Sequence, residues 1–140
     1  MIYLDTSVLV AAFALEAETE RAQAWLWEQA PGALAISAWT QIEFAAALRF
    51  KSATGQITEA QRAVSAGQFS KVLEAALTTW TVEGADMEMA ALIAAMDELR
   101  LRAPDSLHLA MARRRSATLC TLDHGLARAC ELVGHPAVKP

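Results

Sequence analysis

Four acids stand apart from the other carboxylates of this chain by where they fall. Asp5 ends the apolar run Ile2-Tyr3-Leu4, and Asp123 follows the strand-forming run Thr118-Leu119-Cys120-Thr121. Glu43 sits inside an otherwise apolar helical stretch, and Asp105 lies one residue after Pro104, in what reads as a first helical turn. Taken singly, each has an ordinary structural use. Asp5 and Asp123 suit helix N-caps, whose carboxylates accept from free amide N–H groups. Asp105 suits a helix dipole. Glu43 is harder to place that way, because its neighbours at i+3, i+4 and i+7 are Ala46, Ala47 and Phe50. Burying it unpaired is costly, so it needs Arg49, a solvent edge or a functional reason. Taken together, carboxylates converging on one spot repel and are desolvated, so they call for a cation. All-oxygen ligands suit Mg²⁺ or Mn²⁺ better than zinc. Such an ion activates water and stabilises charge on a phosphoryl oxygen, which is the chemistry of phosphodiester hydrolysis.

The elements that must position these acids alternate. Short strands are expected at Ile2–Leu4, Leu34–Ser37, Thr79–Val82, Thr118–Thr121 and Ala137–Val138. Helices are expected over Val8–Ala14, Glu18–Ala30, Ala38–Phe50, Thr58 to about Leu77, Asp86–Leu99, from Pro104 to the Arg113-Arg114-Arg115 run, and over Asp123–Leu132 with Gly134 as its stop. In the Asp86–Leu99 segment, Met89, Leu92, Ile93, Met96 and Leu99 form the expected inward face. Strands alternating with helices predict an α/β fold with a parallel sheet covered on both faces. Both strand-end acids then fall on one edge of that sheet, where ligands of open α/β sheets bind.

Composition sets bounds on the partners. With 140 residues, 54% of them hydrophobic and 20% charged, one domain with an ample core is expected. A net charge of −4 argues against gripping nucleic acid by bulk positive charge, though not against a metal-bridged contact to phosphate. Cys120 and Cys130 are too few for a disulfide framework or a zinc cluster, which fits a reducing, cytoplasmic setting. The chain opens on a strand and an acid rather than a basic leader, and no uninterrupted apolar run reaches about 20 residues, so neither a secretory signal nor a membrane span is expected.

Four stretches carry a family resemblance: Ile2-Tyr3-Leu4-Asp5-Thr6-Ser7, Ile36-Ser37-Ala38-Trp39-Thr40-Gln41-Ile42-Glu43, Ala103-Pro104-Asp105-Ser106-Leu107-His108-Leu109-Ala110 and Thr121-Leu122-Asp123-His124-Gly125-Leu126-Ala127. In this order they resemble the PIN domain family of metal-dependent ribonucleases, and within it the VapC toxins of type II toxin–antitoxin modules. The resemblance spans residues 1–140 as one PIN domain. It implies a three-layer α/β/α sandwich with a central parallel sheet. It implies that Asp5, Glu43, Asp105 and Asp123 are the catalytic acids holding Mg²⁺ or Mn²⁺, with the hydroxyls of Thr6, Ser7 and Thr121 beside them. The implied activity is endonucleolytic cleavage of RNA, typically a tRNA or rRNA site. The implied partners are a small antitoxin whose tail covers or enters the acidic pocket and a second copy in a homodimer. A housekeeping PIN nuclease of RNA processing and a non-catalytic PIN-like binding module are the alternatives.

Other residues read first as structural. His108, three residues after Asp105, could face the same groove, but a lone histidine on an apolar helix is more often a core residue. His124 and His135 lack metal-ligand spacing. Arg113-Arg114-Arg115 reads as a solvated run complementing a helix C-terminus before it reads as an RNA contact, and Arg100 and Arg102 share that ambiguity. Trp25, Trp27, Trp39 and Trp80 read as core or interface residues before base-stacking platforms. Trp25 and Trp27 point about 200° apart on one helix, so at least one is expected to be exposed. A phosphatase of the haloacid-dehalogenase type also opens on a strand ending in Asp, but it needs a second Asp two positions on, where this chain has Ser7. A receiver-like phosphorylation domain lacks its lysine at a strand end. No glycine-rich phosphate loop is present.

Overall fold

A computed structural model describes residues 1–140. Five strands, β1 (Ile2–Leu4), β2 (Leu34–Ser37), β3 (Leu77–Trp80), β4 (Thr118–Cys120) and β5 (Ala137–Val138), form one sheet in the order β3-β2-β1-β4-β5. Every pairing is parallel, with Ile2 beside both Leu34 and Thr118. The helices are α1 (Thr6–Phe13), α2 (Thr19–Trp27), α3 (Ala38–Ala53), α4 (Glu59–Ala76), α5 (Gly84–Ala94), α6 (Ala103–Arg114) and α7 (His124–Leu132). None is long and apolar enough to cross a membrane.

Alternation along the strands divides the core in two. Leu4, Leu34, Ile36 and Cys120 face one side and pack with residues of α1 to α4, among them Val8, Leu26, Phe44 and Phe69. Tyr3, Ala35 and Leu119 face the other and pack with residues of α5 to α7, including Ile93, Met111 and Leu126. A period of two on strands buried on both faces gives this split directly. The result is the expected three-layer α/β/α sandwich. Strand order runs outward from β1 in both directions, so a crevice opens at the carboxyl ends of β1 and β4, the switch point of the sheet.

Most elements stand where the sequence places them, with two differences. β3 is Leu77–Trp80 rather than Thr79–Val82. Pairing with β2 sets its register, Leu34 with Leu77 through to Ser37 with Trp80, and α4 runs straight into the strand. Trp80 then stacks on Tyr3, ring centroids 5.2 Å apart and planes 4° from parallel. The second difference is the Asp86–Leu99 segment, where α5 ends at Ala94 rather than Leu99 and the expected inward face is only partly inward. Leu92 is 73% exposed and Met96 is exposed as well, while Asp86, Ala90 and Ile93 are buried. Asp86 takes an inward position because Arg114 and Arg115 meet it at 2.6 and 2.7 Å. Arg115 also lies over the Trp80 ring and donates to the Thr81 carbonyl. Those two arginines are thus a structural clamp between α5 and the end of α6, not a solvated run. The tryptophan pair on α2 divides as the helical angle requires, with Trp27 exposed and Trp25 packed against the core.

Candidate active site

The crevice is built from chain turns immediately after strands. Asp5 follows β1 and caps α1, with its amide on the Cys120 carbonyl of the neighbouring strand. Its Oδ1 accepts from the Ser7 amide at 2.7 Å, and its Oδ2 accepts from the Ser7 hydroxyl at 2.8 Å and from the Thr121 hydroxyl. Thr121 Oγ1 in turn accepts from the Asp123 amide at 2.9 Å, and Ser7 Oγ accepts from the Leu122 amide at 2.9 Å. Asp123 caps α7 through Leu126, 2.8 Å from Oδ1. Gly125 lets that cap close, since a Cβ there would stand 3.1 Å from Asp123 Oδ1. Capping is therefore real for Asp5 and Asp123, and their hydroxyl partners tie the two caps into one unit.

Glu43 reaches the crevice from the second turn of α3. It does not pair with Arg49. Its Oε2 accepts from the Thr6 hydroxyl at 2.5 Å and lies 2.6 Å from His108 Nε2. Burial pushes the Glu43 carboxyl up, but the His108 and Thr6 bonds outweigh it and hold the group below the usual carboxylate range. Asp105 enters from the first turn of α6, where Arg102 Nε donates to its Oδ2 at 3.1 Å. Burial pushes Asp105 up; Arg102 opposes this, and the charges of Asp123 and Asp5 add to it.

All four acids line a single cavity of about 480 Å³ together with Thr6, Ser7 and His108. Thr121 stands just behind it, bonded to Asp5. Glu16 and Glu18 bring the lining to six carboxylates, against Arg21, Arg102 and Lys139 as its lysine and arginine side chains. Arg21 is itself held by Glu18 at 2.9 Å. No three Asp, Glu, His or Cys side chains stand close enough to hold an ion between them in this arrangement. The chemistry of the set nonetheless fits a hard divalent cation. Its donors are carboxylate oxygens, negative charge is in excess, and the acids raise Asp105 by mutual repulsion. A softer ion such as zinc is less well matched, since carboxylates dominate the set, His108 Nε2 is already on Glu43 and both thiols of the chain are buried elsewhere, Cys120 pushed up to about 12 and Cys130 to about 11.

Two residues join the site that the sequence places in the core. His108, 1% exposed, contacts Glu43 directly. Its spacing of three from Asp105 on one helix was the available signal. Tyr3 belongs to no motif spacing, being one apolar-looking position in a strand. Its hydroxyl lies 3.0 Å from His108 Nδ1 and 2.9 Å from Ser37 Oγ, with Thr40 Oγ1 at 3.4 Å. Burial pushes the Tyr3 phenol up to about 12, so it keeps its proton and remains a donor.

A parallel α/β sandwich whose acids gather at the β1–β4 switch point defines the class. The sequence matches the PIN domain family over residues 2–132, and the chain belongs to that family. No curated protein matches it significantly in sequence. Among solved structures, it is similar to Mycobacterium tuberculosis VapC20, described as a sarcin-ricin loop cleaving toxin. The TM-score is 0.72 at 18% identity, covering 92% of this chain and 95% of that one. A toxin–antitoxin complex from Klebsiella pneumoniae aligns with a TM-score of 0.62 at 20% identity, over 88% and 87% of the two chains. VapBC2 from Rickettsia felis, bound to a DNA fragment from its promoter, aligns with a TM-score of 0.68 at 16% identity, over 99% and 98%.

Proposed function

We propose that this chain is a Mg²⁺- or Mn²⁺-dependent endoribonuclease and the toxin of a toxin–antitoxin pair, acting in the cytoplasm. The observation that carries this reading is that four acids from four separate elements line one cavity at the switch point of a PIN domain. Asp5, Glu43, Asp105 and Asp123 would hold the ion, which supplies Lewis-acid stabilisation of a phosphoryl oxygen and lowers the pKa of the attacking water. The chain's own part is positioning. Ser7 and Thr121 fix the Asp5 carboxylate, and Thr6 and His108 fix that of Glu43. Arg21, Arg102 and Lys139 edge the cavity and would attract an RNA backbone locally, despite the acidic net charge.

The toxin reading draws on the likeness to VapC20 and to toxin–antitoxin complexes, and with it come a cognate antitoxin and an rRNA or tRNA target. A homodimer is favoured by an apolar groove of about 590 Å³ beside the site, lined by Trp39, Ile42, Val82, Met87 and Leu107, in which Ile42 is 61% exposed and Met87 57%. The test is cleavage of total cellular RNA by the purified, antitoxin-free chain with Mg²⁺ or Mn²⁺, beside EDTA and Asp5→Asn controls. Metal-dependent cleavage lost in Asp5→Asn is expected. RNA left intact with either metal rejects the nuclease, and cleavage that survives EDTA or Asp5→Asn rejects the proposed metal site. Growth arrest on expression, relieved by co-expressing the neighbouring reading frame, separates a toxin from a housekeeping nuclease.

A further inference from the structure

Glu43 is the one acid of the four that neither caps a helix nor lies in a first turn, so something else must hold it. Two donors meet on its Oε2, the Thr6 hydroxyl at 2.5 Å and His108 Nε2 at 2.6 Å. An ionised carboxylate only accepts, so the imidazole must carry its hydrogen on Nε2 to make this bond. The other ring nitrogen is also committed, with Nδ1 3.0 Å from the Tyr3 hydroxyl. Tyr3 is fixed in turn by its stack on Trp80 and by Ser37, whose hydroxyl lies 3.0 Å from that of Thr40. Tyr3, Ser37 and Thr40 are each fully buried, and His108 is 1% exposed. Ser37 and Thr40 already serve α3 as its capping box, but packing alone does not call for the Tyr3 hydroxyl on the His108 ring, because an apolar pair fills such a volume without burying polar groups. Hydrogen-bonded supports behind a ligating carboxylate, by contrast, set its orientation and tune the ion it holds.

We infer that His108 is a positioning residue: it holds Glu43 by Oε2 and leaves Oε1 as the oxygen free for a divalent cation, while Tyr3 holds the ring. This rests on the nuclease reading above. It makes β1 the support of two ligands, Asp5 at its end and Glu43 through Tyr3 and His108.

Mn²⁺ binding to the antitoxin-free full chain, followed by the electron paramagnetic resonance of the free ion, tests it without any turnover. His108→Phe fills the volume and removes both ring nitrogens. It should weaken Mn²⁺ about 10–100-fold and lower kcat on RNA far more than it raises KM. His108→Gln keeps one donor and should recover part of that loss, and Tyr3→Phe keeps the stack on Trp80 and should lose only a few-fold, roughly. A folded His108→Phe chain binding Mn²⁺ within about twofold of the parent overturns the inference. Should that variant not fold, the parent chain decides by nuclear magnetic resonance. An exchange-protected His108 Nε2–H signal that shifts on adding Mg²⁺ supports the role, and one indifferent to Mg²⁺ overturns it. A parent chain that binds no Mn²⁺ overturns the nuclease reading itself, a result distinct from a parent that binds and a variant that binds equally well.

Discussion

Replacing Asp105 with asparagine should make the metal-free protein more stable while weakening its response to metal. Asp105 is half-buried, and its carboxyl is pushed up by burial and by the charges of Asp123 and Asp5. The one cation bonded to it, Arg102, has a side chain 78% exposed, so solvent screens much of its help. A raised folded pKa for an acid means that the native state binds the extra proton. Stability therefore falls as pH rises from the unfolded value through the folded one, and the full penalty is present at pH 7. Asparagine keeps the shape and an oxygen for Arg102 but removes the charge. Relieving such a functional-site penalty typically yields about 0.5–2 kcal/mol. With Mn²⁺ at a hundred times its dissociation constant, the parent should gain about 2.7 kcal/mol, and a tenfold weaker variant only about 1.4 at the same concentration. The advantage of the variant in EDTA should thus shrink by about 1.3 kcal/mol in Mn²⁺. Urea melts at pH 7 in EDTA and in Mn²⁺, repeated in EDTA near pH 4, measure all three quantities. A variant less stable than the parent in EDTA, or one with an undiminished Mn²⁺ increment, would refute the idea that Asp105 is held against electrostatic cost for a cation.

Three further outcomes follow from particular contacts. Burial pushes the Asp86 carboxyl up, but Arg115, the Glu83 amide and Arg114 outweigh this and hold it at about 2, against an ordinary 3.8. Asp86→Asn should cost about 2 kcal/mol at pH 7 and about half that by pH 3, because the contribution is present above the unfolded pKa and lost as pH falls towards the folded one. An equal cost at both pH values in denaturant melts would assign the clamp to packing. Thr121→Val removes the hydroxyl between Asp5 and the Asp123 amide and should cost about 1–3 kcal/mol together with RNA cleavage; full cleavage by the variant would show that Asp5 needs no such support. Ile42→Asp, on the exposed wall of the apolar groove, should leave the fold intact and give a monomer in sedimentation. A dimer that persists places the self-contact elsewhere.

What the sequence makes legible follows from distance along the chain. Caps and strand ends are local, so Asp5, Asp105 and Asp123 can be placed from a few flanking residues, and the strand–helix alternation gives the parallel sandwich. The two misplaced features depend on partners far away. β3 begins at Leu77 because β2 dictates its register, and Leu92 faces out because Asp86 is drawn inward by arginines 28 and 29 residues on.

The support behind Glu43 is the extreme case, since its bonds join residues 65 and 105 positions apart. No periodicity reports such pairs, and each member has a plausible apolar or core reading on its own. One signal of a different kind remains. Residues two apart on a strand share a face, so the strand that delivers a carboxylate to the sheet edge also sets what lies two positions beneath it. Here that position is Tyr3, the only tyrosine in the chain. A phenol in the innermost strand of a buried sheet has a hydroxyl that must find a partner. Asking where that hydroxyl goes leads to His108, and from His108 to Glu43. The supporting layer of such a site is therefore reached by accounting for the buried polar atom nearest the obvious acid, rather than by extending the motif that contains the acid.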